Sequence, residues 1–178
     1  MTLQTLRDSI PDYARDLKLN LSAILTPQGA PGLTEQQIAA LALATAIASR
    51  NSQLTQAVEE WARPQLDENT LNAARAAAAI MGMNNVYYRF LHLVEDAQYQ
   101  GMPAQLRMNV IGNPGIDKLH FELLALAVSA INGCGMCIVA HERKLREGGV
   151  SRESIQSAVR IASVIHAVAG VLEYQAAA

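Results

Sequence analysis

ELLALAVSAINGCGMCIVAH, residues 122–141, is the stretch on which the reading of this chain turns. It holds both cysteines of the protein, Cys134 and Cys137, with His141 four residues beyond the second and Glu122 twelve before the first. Residues three and four apart lie on one face of a helix, so a helical second half brings Cys134, Cys137 and His141 together. The apolar run 123–140 barely reaches spanning length and is interrupted by Asn132 and Gly133, so it reads as buried core rather than membrane. Gly133 marks a break between two helices. A paired thiol and a base inside such a run point to a redox site.

Outward from this stretch the chain reads as helix throughout. Asp117 stands where an N-cap belongs for the helix that carries Glu122 towards residue 131. A second helix follows from about residue 134 to 147, with Gly148 and Gly149 as its C-terminal stop and Lys144 and Arg146 placed against its dipole. Ser151 caps the last helix, in which Ile155, Val159, Ala162, Ile165, Ala169 and Leu172 recur at helical spacing. Towards the N-terminus, Asp67 caps a helix from 68 to about 94, a shorter one spans 53–62, and Thr34 with Gln37 forms a capping box for 35 to about 50. Residues 2–25 read as one or two short amphipathic helices, while 26–32 and 95–116 read as loops rich in proline and glycine. No strand-like alternation stands out, and the expected fold is all-α.

Bulk composition agrees. The chain has 178 residues, enough for one domain with a sizeable core; 51% are hydrophobic but only 4% aromatic. Alanine and leucine dominate, which suits close helix packing better than a sheet. A net charge of −2 gives no basic surface for nucleic acid or an anionic membrane. Charged side chains from Arg7 to Lys18 interrupt any apolar leader, so the expectation is a cytoplasmic protein. The motif Leu41-Ala-Leu-Ala44 returns as Leu124-Ala-Leu-Ala127, which marks an internal repeat of roughly 35–94 and 117–175 within a single domain spanning 1–178.

The chemistry follows from the spacing. In a reducing compartment a structural disulfide is rare, and a bridge closing so short a loop stabilises a fold by only about 2 kcal/mol. A Cys-x-x-Cys there is metal-binding or redox-active. The thiolate is the nucleophile, and His141, one turn beyond Cys137, is placed to take its proton, so Cys137 is expected to attack first and Cys134 to resolve. Glu122 would orient His141 and raise its basicity. The alternative is that Cys134, Cys137, His141 and Glu122 hold zinc or iron, or form a redox-sensing disulfide without turnover. In 81–90, Asn84 and Asn85 read as helix residues that bridge neighbours, the functional alternative being that Asn84, Asn85 or Tyr88 lines the pocket by the cysteines. His166 reads as a core histidine, and Met81, Met83 and Met108 as packing.

Four segments in order carry a family resemblance: PDYARDLKLNLS (11–22), MGMNNVYYR (81–89), MNVIGNPGI (108–116), and Phe121-Glu-Leu with AVSAINGCGMCIVAHE (127–142). With these the chain resembles the AhpD-type alkyl hydroperoxidases, related in fold to carboxymuconolactone decarboxylases. The resemblance implies an all-helical subunit with a duplicated core, assembled as a homotrimer or a multiple of it. It implies a peroxidatic Cys137, a resolving Cys134, and His141 and Glu122 as proton relay, with no tightly bound cofactor and no metal. The implied partners are a hydroperoxide substrate and, as reductant, a dihydrolipoyl group on the acyltransferase subunit of a 2-oxoacid dehydrogenase. One position departs from the family pattern: the residue before the peroxidatic cysteine is Met136 where well-known members carry a histidine, which implies a slower or narrower peroxidase.

Overall fold

Side chains in the loops start the main helices. Thr34 accepts from the Gln37 N–H while the Gln37 side chain accepts from the Thr34 N–H, completing the capping box. Asp67, Asp117 and Ser151 accept from Thr70, His120 and Ser154 in the same way. The computed structural model describes residues 1–177. Among them are ten α-helices and no strand. These are α1 (Leu3–Asp8), α2 (Arg15–Ile24), α3 (Glu35–Ala48), α4 (Ser52–Ala62), α5 (Glu68–Leu93), α6 (Ala97–Gly101), α7 (Asn109–Gly112), α8 (Lys118–Ile131), α9 (Gly135–Glu147) and α10 (Arg152–Ala177).

Helices α3 and α8 form the centre because they are apolar on every side. Residues 38–46 of the first and 120–129 of the second are all buried. The long helices α5 and α10 each pack against both, while α4 lies on α3 and α10, and α9 on α8 and α5. Small alanines such as Ala42, Ala44, Ala74 and Ala127, none of them exposed, let these helices approach closely. Helix α10 is long and apolar enough to cross a membrane. Its apolar face is accounted for by burial of Ile155, Ile161, Ile165, Val168 and Leu172 in the core.

Order and length recur in the two halves. Helices α3, α4 and α5 have 14, 11 and 26 residues, and α8, α9 and α10 have 14, 13 and 26. At the break between the first two helices of each run the chain passes through the left-handed region, at Arg50 (φ 62°) and at Gly133 (φ 66°). The following residue caps the next helix: Asn51 accepts from the Leu54 N–H, and the Cys134 sulfur from the Cys137 N–H.

Two expectations need correcting. The segment 95–116 is not simply loop, since it contains α6 and α7. Helices of four or five residues are too short to show a periodicity. His166 is not a core histidine: it is exposed, with Nδ1 3.3 Å from the Ser49 hydroxyl. Its apolar neighbours Ile165, Val168 and Ala169 are the buried ones, and at 100° per residue His166 falls outside the arc they share.

The loop 26–32 is held tightly under α2. A Cβ on Gly29 would lie 1.9 Å from the Ala23 carbonyl oxygen, a backbone atom that has no room to retreat. Gly29→Ala is therefore expected to destabilise the fold by about 2 kcal/mol or more, read as a lower urea midpoint at unchanged m-value. An unchanged midpoint would contradict this packing.

Candidate active site

The α8–α9 turn positions the cysteines. Gly133 supplies the left-handed residue, and the Cys134 N–H donates back to the Ser129 carbonyl at 3.2 Å. Asn85 and Arg89 of α5 fasten the turn from the side. The Asn85 amide donates to the Ser129 hydroxyl at 2.9 Å and accepts from the Asn132 amide at 2.9 Å, while Arg89 donates to the Asn132 carbonyl. Cys134 then becomes the N-cap of α9 and Cys137 its third residue. Their sulfurs are joined in a disulfide, with Cα atoms 5.3 Å apart. When the bridge is open, a thiolate here faces the positive end of the α9 dipole, which stabilises it.

The two sulfurs are not equivalent. Cys134 is completely enclosed, whereas Cys137 is 7% exposed and lines a cavity of about 290 Å³. The walls come from α5 (Met81, Asn84, Tyr88), from the 95–116 segment (Met108, Ile111) and from α9 (Met136, Ala140, His141, Lys144). The lining is largely apolar, and three methionines give it adaptable walls. Met136 contributes thioether surface to the cavity wall.

His141 and Glu122 meet across the α8–α9 contact, with His141 Nδ1 2.5 Å from Glu122 Oε2, and both are buried. A carboxylate accepts, so Nδ1 carries the proton and Nε2 is the nitrogen left to exchange one. Lys144 donates to the other carboxylate oxygen at 3.0 Å. Burial pushes the Glu122 carboxyl up, but the hydrogen bonds and charges of His141 and Lys144 outweigh it and hold it below the usual carboxylate range. The expected partner for a carboxylate in an apolar helix is thus present, together with a second one.

The Carboxymuconolactone decarboxylase family model matches residues 97–178. The chain is 56% identical over 169 residues to a protein named alkyl hydroperoxide reductase AhpD from Coxiella burnetii, covering 95% of this chain and 96% of that one. Proteins of the same name from Gluconacetobacter diazotrophicus and Rhodospirillum centenum are 55% and 54% identical over 177 residues, with 99% of this chain covered and 96% and 94% of theirs. The chain belongs to the AhpD family.

Of the four residues singled out from the AhpD-like motif, Cys137 and His141 line this cavity, while Cys134 and Glu122 lie behind them, one in the disulfide and the other hydrogen-bonded to His141. Of the three α5 residues considered as pocket lining, Asn84 and Tyr88 reach it and Asn85 does not. Met81 packs in the core as expected and, with the half-buried Met108, walls the cavity. Two contributors were missed. Lys144 was read only as a dipole partner, although it sits three residues beyond His141 on the same face, a signal present in the sequence. Ile111 lies in a four-residue helix with no pattern of its own. The metal alternative loses ground here, since the thiols are spent on each other and the Glu122 carboxylate already accepts hydrogen bonds from His141 and Lys144.

Proposed function

We propose that this protein is a thiol-dependent peroxidase that reduces alkyl hydroperoxides to alcohols, the activity for which its relatives are named. The observation that carries the reading is the asymmetry of the pair: a cysteine sulfur on the floor of an apolar cavity, its partner sealed behind it, and a histidine–glutamate pair beside it. The Cys137 thiolate attacks the terminal peroxide oxygen; the O–O bond breaks, an S–O bond forms, and sulfur gives up two electrons. The departing alkoxide takes the proton that His141 removed from the thiol and leaves as alcohol. The Cys134 thiol then displaces hydroxide from the sulfenic acid, releasing water and forming the disulfide. Glu122 holds His141 in the tautomer that exposes Nε2 and stabilises its charged form.

An external dithiol closes the cycle by thiol–disulfide exchange, so the reaction calls for no tightly bound cofactor. A dihydrolipoyl group on an acyltransferase subunit fits this role, because a slender apolar arm ending in a 1,3-dithiol can enter a cavity of this size and close to a ring disulfide as it reduces the protein. The apolar lining favours organic hydroperoxides over hydrogen peroxide. The exposed stripe Val86, Phe90 and Leu93 on α5 supports assembly as a homotrimer or a multiple of it. The matching helical runs support an internally duplicated core, of which only the second half carries the cysteine pair with its histidine and glutamate. The redox cycle belongs in a reducing compartment such as the cytoplasm.

One equivalent of cumene hydroperoxide added to reduced protein should consume both thiols and yield one equivalent of alcohol. Dihydrolipoamide should restore the thiols faster than glutathione or thioredoxin does. Thiols that survive the peroxide would sink the reading, and restoration by thioredoxin alone would redirect the partner.

A further inference from the structure

Asn84 stands out among the buried polar side chains. It is 4% exposed, it lines the cavity beside Cys137 and His141, and its carbonyl oxygen has no hydrogen-bond partner among the described residues. Its neighbour Asn85 provides the contrast, being buried and bonded at both ends to Ser129 and Asn132. A buried carbonyl oxygen without a partner costs stability, and such groups persist where a ligand completes them. Asn85 serves the fold; Asn84 has no such duty.

Resting on the peroxidase reading above, we propose that Asn84 is the substrate-binding residue for the hydroperoxide, its carboxamide hydrogen-bonded to the O–O–H group while Cys137 attacks. The chemistry needs this. The terminal O–H must be held as its oxygen accepts the thiolate electrons, and the oxygen that leaves gathers negative charge in an apolar cavity. One carboxamide offers an acceptor for the O–H and a donor for the developing alkoxide, where water is scarce and each bond counts for more. Sulfur attack, O–O cleavage and proton return by His141 are unchanged; Asn84 aligns the bond that breaks and stabilises the charge that leaves.

The test uses Asn84→Leu, close in volume and apolar, in a Cys134→Ser background so that Cys137 is the single thiol. Formation of the Cys137 sulfenic acid by cumene hydroperoxide should slow by about 10- to 100-fold. Alkylation of Cys137 by iodoacetamide, which has no O–O–H group, should stay within about twofold. Because a buried carbonyl oxygen without a partner is replaced by hydrocarbon, Tm should rise by about 2–4 °C. Peroxide and alkylation rates that fall in parallel would show that Asn84 acts on the thiol or the fold, and would overturn the proposal. So would a peroxide rate equal to that of the parent, or a lower Tm. Asn84→Ala supplies the same pair of rates should leucine not be accommodated. A parent protein inert to peroxide would overturn the peroxidase reading itself, whereas an active parent with an equally active Asn84→Leu variant overturns Asn84 alone.

Discussion

Reduced Cys137→Ser protein is expected to leave cumene hydroperoxide untouched, with the reaction slowed by at least about 10³-fold, while Cys134→Ser still consumes one equivalent and stops at a sulfenic acid. Accessibility decides which sulfur attacks. Cys137 opens onto the cavity and Cys134 is completely enclosed, so a hydroperoxide can reach only the former without the turn opening. Proton transfer points the same way, because His141 lies one turn beyond Cys137 on α9 and lines the same cavity. In motifs where the first cysteine sits exposed at a helix start, that one attacks; here Gly133 and Gly135 are exposed but the Cys134 side chain between them is completely enclosed. Trapping with dimedone and mass analysis of the two variants reads the outcome directly. A dimedone adduct on Cys134 of the Cys137→Ser protein would reverse the assignment.

What could be read in advance was what depends on neighbours in the chain. The caps at Thr34, Asp67, Asp117 and Ser151 are side chains that bond backbone groups three residues on, so residue type and spacing suffice. The pairing of Glu122 with His141 was legible for a different reason: a carboxylate in an apolar helix must find a partner, and His141 was the base within reach. Where identity depends on which neighbour packs alongside, sequence falls silent. Asn84 and Asn85 are adjacent and chemically identical, yet a rotation of 100° sends one to the Ser129 hydroxyl and the other to the cavity wall. His166 shows the same blindness from the other side, since its apolar neighbours belong to a face it does not share.

Glu122→Gln is expected to slow sulfenic acid formation by about 10²- to 10³-fold, whereas Lys144→Met, which removes the other member of the 3.0 Å pair, should cost less than about tenfold. The difference lies in burial. His141 and Glu122 are both buried, and the carboxylate fixes the tautomer and supports the charge that the imidazole acquires when it takes the Cys137 proton. Glutamine keeps the shape and loses the charge. The Lys144 side chain is 52% exposed, so water replaces much of what its ammonium supplies, and pairs of that kind are worth about 1 kcal/mol or less. The sign of the pH dependence follows from the direction of the Glu122 shift. Its carboxyl is held below the usual range, so its pairing stabilises the folded protein above about pH 4.3, and that contribution disappears as pH falls through the lower folded value. The stability gap between wild type and Glu122→Gln should therefore close on acidification below about pH 4.3, read by urea melts across that range. If Lys144→Met proves as damaging to the rate as Glu122→Gln, the ion pair with the lysine, and not the charge behind His141, is what the reaction requires.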